Sequence, residues 1–342
     1  MDFSNLKAAV DRLFSDNRVS NMALRILKNE NIVYEEFRSV ERQISDTTLF
    51  DIASITKVVS VGMLSLIAME RGLLRLEQPV SDFFPVPEHN KELTVKHLLT
   101  HTTGVGFRRV DKPENTYENI EKYILSLTGK PIGSSVEYSC PAYILMGKVL
   151  EKVFHERLET LSQKEVFLPL GMEHTAFRPL ERGFTDNVNA NPDDTPAGIV
   201  NDRNCRHLGG VCGNAGLFSC IKDLTAFAKM LQNGGAPLIS EETLNFAVTN
   251  HTPGLNDSRG IGFLIVNPDY NQTADLFPPY KSFGHCGHTG ASFFINRESG
   301  MAVILLTDAT RMNILKNGVE VYSEVKQMRH DIHAAISRDL FG

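Results

Sequence analysis

The chain has 342 residues, 42% of them hydrophobic and 22% charged, and a formal net charge of -6. That balance suits a folded chain of about two domains with a sizeable core. It leaves no basic arm or patch for nucleic acid or for an anionic membrane surface, which argues against a polyanionic partner.

Leu6, Val10, Leu13 and Phe14 recur at helical spacing and predict an amphipathic helix over residues from about 3 to 16. No basic segment leads there into an apolar run with a small-residue cleavage site, so a cytoplasmic protein with no membrane partner is expected. Met22 to Lys28 and Ile32 to Phe37 are β-like runs split by Asn29-Glu30-Asn31, a hairpin signal. Next comes Asp51-Ile52-Ala53-Ser54-Ile55-Thr56-Lys57, followed by the apolar run Val58 to Met69. It reads as a short extended approach and then a long core helix that begins close to Ser54. The apolar run is too short to span a bilayer and carries Ser60, Gly62 and Ser65.

From Gly72 to about residue 185 the pattern is helical and loop-rich. Leu93 to Leu99, Tyr117 to Leu127, Pro141 to Val153 and Leu158 to Phe167 are the helical candidates, broken by Gly104, Gly106, Pro131 and Pro169. Gly209 to Ser219 is a small-residue loop without the Gly-Lys-Ser/Thr ending of a phosphate cradle, so it reads as a close-packed wall of a cleft. A helix follows from about Ile221 to Leu231. Strand-like runs come next at Gly260 to Val266, Ser282 to Cys286, Ala291 to Asn296 and Met301 to Thr307, the last two joined by an Arg297-Glu298-Ser299-Gly300 turn. Leu315, Val319, Tyr322, Val325, Met328, Ile332 and Ile336 then fall at three- and four-residue steps, predicting a long helix that covers the sheet. Both chain ends supply strands. The expected fold class is α/β (α+β), an antiparallel β-sheet flanked by helices, with a sheet domain from residues 1–80 and 186–342 and an inserted helical domain over 81–185.

Ser54 at the positive end of a helix, with Lys57 one turn later on the same face, is a way to make a nucleophile. A serine hydroxyl needs a neighbouring base, and a lysine serves only if burial and positive surroundings lower its pKa. Ser-x-x-Lys also occurs at Ser4/Lys7, Ser219/Lys222 and Ser323/Lys326, but only the copy at Ser54 precedes a helix apolar enough to be buried. Cys140, Cys205, Cys212, Cys220 and Cys286 are odd in number and show no paired zinc spacing, which predicts free thiols and no disulfide. His285, Cys286 and His288 lack a fourth ligand at suitable spacing, so no metal is expected.

Ser54-Ile55-Thr56-Lys57, then Tyr138-Ser139-Cys140, then His285-Cys286-Gly287-His288-Thr289-Gly290 occur in that order. With LLTHTTG at Leu98 to Gly104, VFLPLGMEHT at Val166 to Thr175, LGGVCGNAGLFS at Leu208 to Ser219 and RGIGF at Arg259 to Phe263, most of the chain resembles the serine β-lactamase and penicillin-binding-protein superfamily, in its class C-like serine hydrolase branch. The resemblance implies a β-lactamase/transpeptidase-like fold with the site in a cleft and no metal or organic cofactor. Ser54 would attack a carbonyl and become acylated, while Lys57 and Tyr138 share the proton. The backbone N–H groups of Ser54 and His288 would hold the oxyanion. His285 would stand at the third-motif position, although His288-Thr289-Gly290 spells the same pattern. Cys140, Gly287 and Thr289 would line the substrate site, and His101 reads as a loop-stabilising hydrogen bonder.

Two departures bear on the substrate. The family's Tyr-x-Asn is Tyr138-Ser139-Cys140 here, and a thiol cannot offer an amide's paired donor and acceptor. His285 stands where β-lactamases carry Lys, so a full positive charge for a substrate carboxylate is mostly absent above neutral pH. The expected partner is a small-molecule ester, amide or lactam, with small neutral esters preferred. The alternatives are a D-amino-acid peptidase, a D,D-carboxypeptidase or an acyltransferase using the same residues, or a binding module with an idle site.

Overall fold

The computed structural model of the chain describes residues 2–312 and 322–342. Helix α1, Ser4–Ser15, buries the predicted stripe of Leu6, Val10, Leu13 and Phe14. Strands β1, Asn21–Lys28, and β2, Asn31–Ser39, pair antiparallel. The turn between them holds Asn29 and Glu30 at positive φ, the geometry a two-residue hairpin loop requires. Strand β3, Phe50–Asp51, leads into α2, Ala53–Glu70. This helix opens as a 3-10 turn over Ala53–Ile55, passes through a π-helical stretch over Lys57–Gly62 and becomes regular over Met63–Glu70. By length and composition α2 could cross a membrane, but it is 83% buried inside the protein and forms the centre of its core.

The helical region supplies α3, Val95–Leu99, α4, Ile120–Ser126, α5, Cys140–Phe154, and α6, Leu158–Ser162, which continues as a π turn over Gln163–Phe167. Then come β4, Ala176–Phe177, α7, Arg203–His207, β5, Leu217–Ser219, α8, Ile221–Gln232, and α9, Glu241–Ala247. The last part of the chain adds β6, Leu264–Ile265, β7, Ser282–Cys286, β8, Ser292–Asn296, β9, Met301–Thr307, α10, Ala309–Met312, and α11, Tyr322–Phe341.

The strands make one six-stranded antiparallel sheet in the order β2-β1-β9-β8-β7-β6 and a small sheet of β3, β5 and β4. Strand β9 shows why the large sheet is sandwiched. Met301, Val303 and Leu305 point into a core shared with α1 and α11, and Ala302, Ile304 and Leu306 into the larger core shared with α2, α5 and α8. The larger core runs without a break from the sheet, through α8 and α2, into the helical region expected to form a separate domain.

Three expectations change. The run Gly260 to Val266 pairs only at Leu264–Ile265, because the Gly260 N–H bonds Phe263 and the Ile261 N–H bonds Ala247, closing a turn instead of extending a strand. Helix α9 was not foreseen, although Ser240 accepts from the Thr243 N–H and Glu241 and Glu242 fill the first turn, a readable start signal. Strand β4 lies inside the region expected to be helical. Val325, Met328, Ile332 and Ile336 are buried as predicted, while Leu315 and Val319 lie outside the described residues.

Candidate active site

Strand β3 ends at Asp51, whose Oδ1 accepts the Ala53 N–H at 2.8 Å and whose Oδ2 accepts the Asn201 N–H at 2.7 Å. These bonds support Ala53 at φ +45°, a left-handed conformation that turns the strand abruptly into α2 at Ser54. Burial pushes the Asp51 carboxyl up to about 6 despite the two backbone donors. Ser54 is half-buried in the first helical turn, where backbone N–H groups have no partner within the helix.

Lys57 is fully buried one turn later. Its Nζ donates to Ser54 Oγ at 2.9 Å and to the Asn214 carbonyl at 2.8 Å, and lies 3.7 Å from Cys140 Sγ. Burial pulls its pKa down, but the anionic forms of Cys140 and Tyr138, followed by Asp202, outweigh that and hold the proton above the usual lysine range. Burial also raises the Cys140 thiol and the Tyr138 phenol, in each case against the Lys57 ammonium. The three groups therefore titrate as one system.

Tyr138 stands just before α5, with its ring centroid 4.9 Å from Lys57 Nζ. His101 holds it there. The buried imidazole packs against Tyr138 at 4.6 Å and against Tyr143 at 4.9 Å between ring centroids. Its Nδ1 accepts the Ser139 N–H at 3.0 Å, and its carbonyl accepts the Glu137 N–H at 2.8 Å, so main-chain bonds flank Tyr138 on both sides. Burial, reinforced by Arg259 and Lys57, keeps His101 neutral, as an acceptor at Nδ1 must be. The predicted loop-stabilising role is the one observed.

At the third motif, the His285 ring lies 6.3 Å from the Tyr138 ring, on strand β7. Its Nδ1–H donates to the Cys286 carbonyl at 2.9 Å, and its buried Nε2 has no hydrogen-bond partner. Burial first, then Lys57 and Arg259, drive its pKa well below 6.5, so the ring is neutral and carries a bare lone pair. His285 thus stands beside Tyr138. The tip of the β7–β8 turn docks on the approach to Ser54. Thr289 Oγ1 donates to the Asp51 carbonyl at 2.7 Å, and a Cβ on Gly287 would lie 2.6 Å from the Ile52 carbonyl oxygen.

The predicted substrate contacts are reassigned by this geometry. Cys140 is buried and its thiol faces Lys57, Thr289 is fully buried with its hydroxyl spent on Asp51, and Gly287 serves the close approach to Ile52. Asn214 and Arg259 went unrecognised in the sequence. Both lie in the quoted supporting segments, but Asn214 acts through its carbonyl, which any residue has. The Arg259 guanidinium is 5.7 Å from the Tyr138 ring centroid and is paired with Asp257 through Nε at 3.1 Å, so a buried cation reaches the cleft from a residue outside all three motifs.

A model of the Beta-lactamase family matches residues 6–313. A protein of Escherichia coli O157:H7, named a candidate D-alanyl-D-alanine carboxypeptidase, is 26% identical over 83% of this chain and 77% of its own length. Among solved structures, the octameric penicillin-binding protein homologue from Pyrococcus abyssi superposes with a TM-score of 0.76 at 22% identity, covering 99% of this chain and 78% of that one. EstCE1, a hydrolase with promiscuous acyltransferase activity, gives a TM-score of 0.71 at 18% identity over 96% of this chain and 97% of that one.

Proposed function

The chain belongs to the Beta-lactamase family and is a serine hydrolase, and we propose that it cleaves small neutral esters through an acyl-enzyme on Ser54. The observation that carries this reading is the 2.9 Å hydrogen bond between Lys57 Nζ and Ser54 Oγ, at a buried lysine that Tyr138 overhangs. Ser54 Oγ attacks the ester carbonyl carbon and gives its proton to the Lys57–Tyr138 pair. The pair returns that proton to the departing alkoxide. A water molecule then attacks the acyl-enzyme by the same route in reverse. The backbone N–H groups of Ser54 and His288 receive the oxyanion in both steps, each contributing about 3 to 4 kcal/mol.

The preference for a neutral ester rests on charge. His285 is neutral, and the Arg259 guanidinium is already engaged by Asp257, so a substrate carboxylate meets no unpaired cation from these two residues. A reducing, cytoplasmic setting belongs to the same reading and rests on five cysteines that stand as free thiols. The relative's name favours a second reading, a D,D-carboxypeptidase, and EstCE1 favours an acyltransferase, both through the same acyl-enzyme.

Intact-protein mass spectrometry after brief exposure to p-nitrophenyl butyrate, nitrocefin and a fluorophosphonate tests the proposal, with Ser54→Ala as control. An adduct on the wild type alone, with faster turnover of the butyrate than of nitrocefin, is expected. An adduct that persists in Ser54→Ala moves the nucleophile elsewhere, and faster turnover of nitrocefin overturns the neutral-ester preference.

A further inference from the structure

We propose that Arg329, on α11 and outside every catalytic motif, is a positioning residue that aims the His288 N–H into the cleft. The inference rests on the reading of Ser54 as the nucleophile and concerns how its oxyanion is held. Arg329 is fully buried. Its Nη2 donates to the carbonyls of Gly287 and, at 3.2 Å, of Ala291, and its Nε donates to the Gly290 carbonyl at 3.3 Å. Gln272 Oε1 takes Nη1 at 2.8 Å and holds the plane of the guanidinium. Three carbonyls of one short turn, between β7 and β8, thus converge on one side chain from the far end of the chain.

The orientation of the donor follows from the peptide unit. A trans peptide is planar, with its C=O and N–H on opposite sides, so drawing the Gly287 carbonyl toward α11 sends the His288 N–H the other way. The other way is toward the Asp51–Ser54 segment, against which Gly287 packs and onto whose carbonyl at Asp51 Thr289 donates. A cation bound to the carbonyl also polarises the amide and strengthens its N–H as a donor. The Thr289 carbonyl, in the same turn, is occupied separately by the Thr307 hydroxyl at 3.0 Å and the Ala309 N–H at 3.0 Å. The turn therefore has little freedom to rotate its peptides while Arg329 is in place. A lysine could hold one of these carbonyls at a time but could not present the flat fork that spans several.

The test uses the full-length chain with Arg329→Met and Arg329→Lys, the lysine variant keeping a cation in the buried site in case the methionine variant does not fold. For p-nitrophenyl butyrate, Arg329→Met is expected to lower kcat about 100-fold, the loss typical of one oxyanion donor. Arg329→Lys is expected to lose about 10-fold, with KM within about threefold of wild type in both. Affinity for a boronic acid, which mimics the tetrahedral adduct, should fall with kcat. Guanidinium ion added to Arg329→Ala should recover part of the lost rate, which a merely structural defect would not allow. Hydrogen exchange at the amides from Gly287 to Ala291 reads the clamp without any chemistry, and it should quicken in Arg329→Lys. A folded variant whose kcat stays within about threefold of wild type, with unchanged exchange, overturns the proposal. A wild type inert to the fluorophosphonate, whose turn still exchanges faster on substitution, instead removes the Ser54 reading and leaves the clamp standing.

Discussion

At Ser54 the proton inventory decides when the site is active. Lys57 and Tyr138 both hold their protons more tightly than usual, so at neutral pH the resting pair is ammonium and phenol, and the base form is scarce. Raising the pH removes one proton from the coupled system and creates the base. For an ester that does not itself titrate, kcat/KM should therefore climb from about pH 6.5 to about pH 9 with a slope approaching one. A flat profile over that range would show that the base is already formed at neutral pH. No separate step near 6.5 is expected from His101 or His285, because burial keeps both neutral. In the same assay, Tyr138→Phe should lower kcat by about 100-fold or more, and an unchanged kcat would assign the proton transfer to Lys57 alone. The identities of Ser54, Lys57 and Tyr138 were legible in their motifs. The direction of their protons was not, because it depends on burial and on Cys140 and Asp202, which packing brings near Lys57 from distant parts of the chain.

Secondary-structure elements deliver these groups by direct backbone contact. The loop from Gly209 to Gly216 carries the Asn214 carbonyl to Lys57, and it can do so because Gly213 lies flat against α5. A Cβ there would stand 2.0 Å from the Tyr143 carbonyl oxygen, deep inside van der Waals contact. Gly213→Ala should push the loop away from α5, costing about 1 to 3 kcal/mol of stability and loosening the hold on the Lys57 ammonium. Its expected signature is a lower urea midpoint together with a lower kcat at constant pH, and wild-type values of both would show that the loop relaxes freely. Small residues in this stretch suggested a close-packed wall before any coordinates, and that is the role seen. Helix α2 was equally legible from its apolar run. The π-helical stretch over Lys57–Gly62 was not, since it is an adjustment of the helix to what packs around it rather than a pattern of its own.

The molecule as a whole is closed by its two ends. Asp339, near the end of α11, accepts the Asn5 N–H at 3.0 Å, the Asn5 side chain at 2.7 Å and the Leu6 N–H at 2.8 Å, and so caps α1. Asp339→Ala should cost about 0.5 to 2 kcal/mol and lower the melting temperature while kcat stays near wild type. A large fall in kcat instead would mean that the closure reaches the catalytic turn through α11. Local chemistry and periodicity in the sequence were enough to determine the antiparallel sheet built from both ends and the long core helix behind Ser54, while the family was legible through the resemblance that the three motifs carry in their order. Strand alternation, helical spacing and a Ser-x-x-Lys pair are properties of neighbours in the chain, which a linear reading can see. Only the tertiary structure decided that Cys140 and Thr289 face inward, that His285 stands beside Tyr138, that Arg259 brings a cation to the cleft and that the helical region shares one core with the sheet. Each of these depends on which surfaces meet when residues far apart in sequence are packed to exclude water.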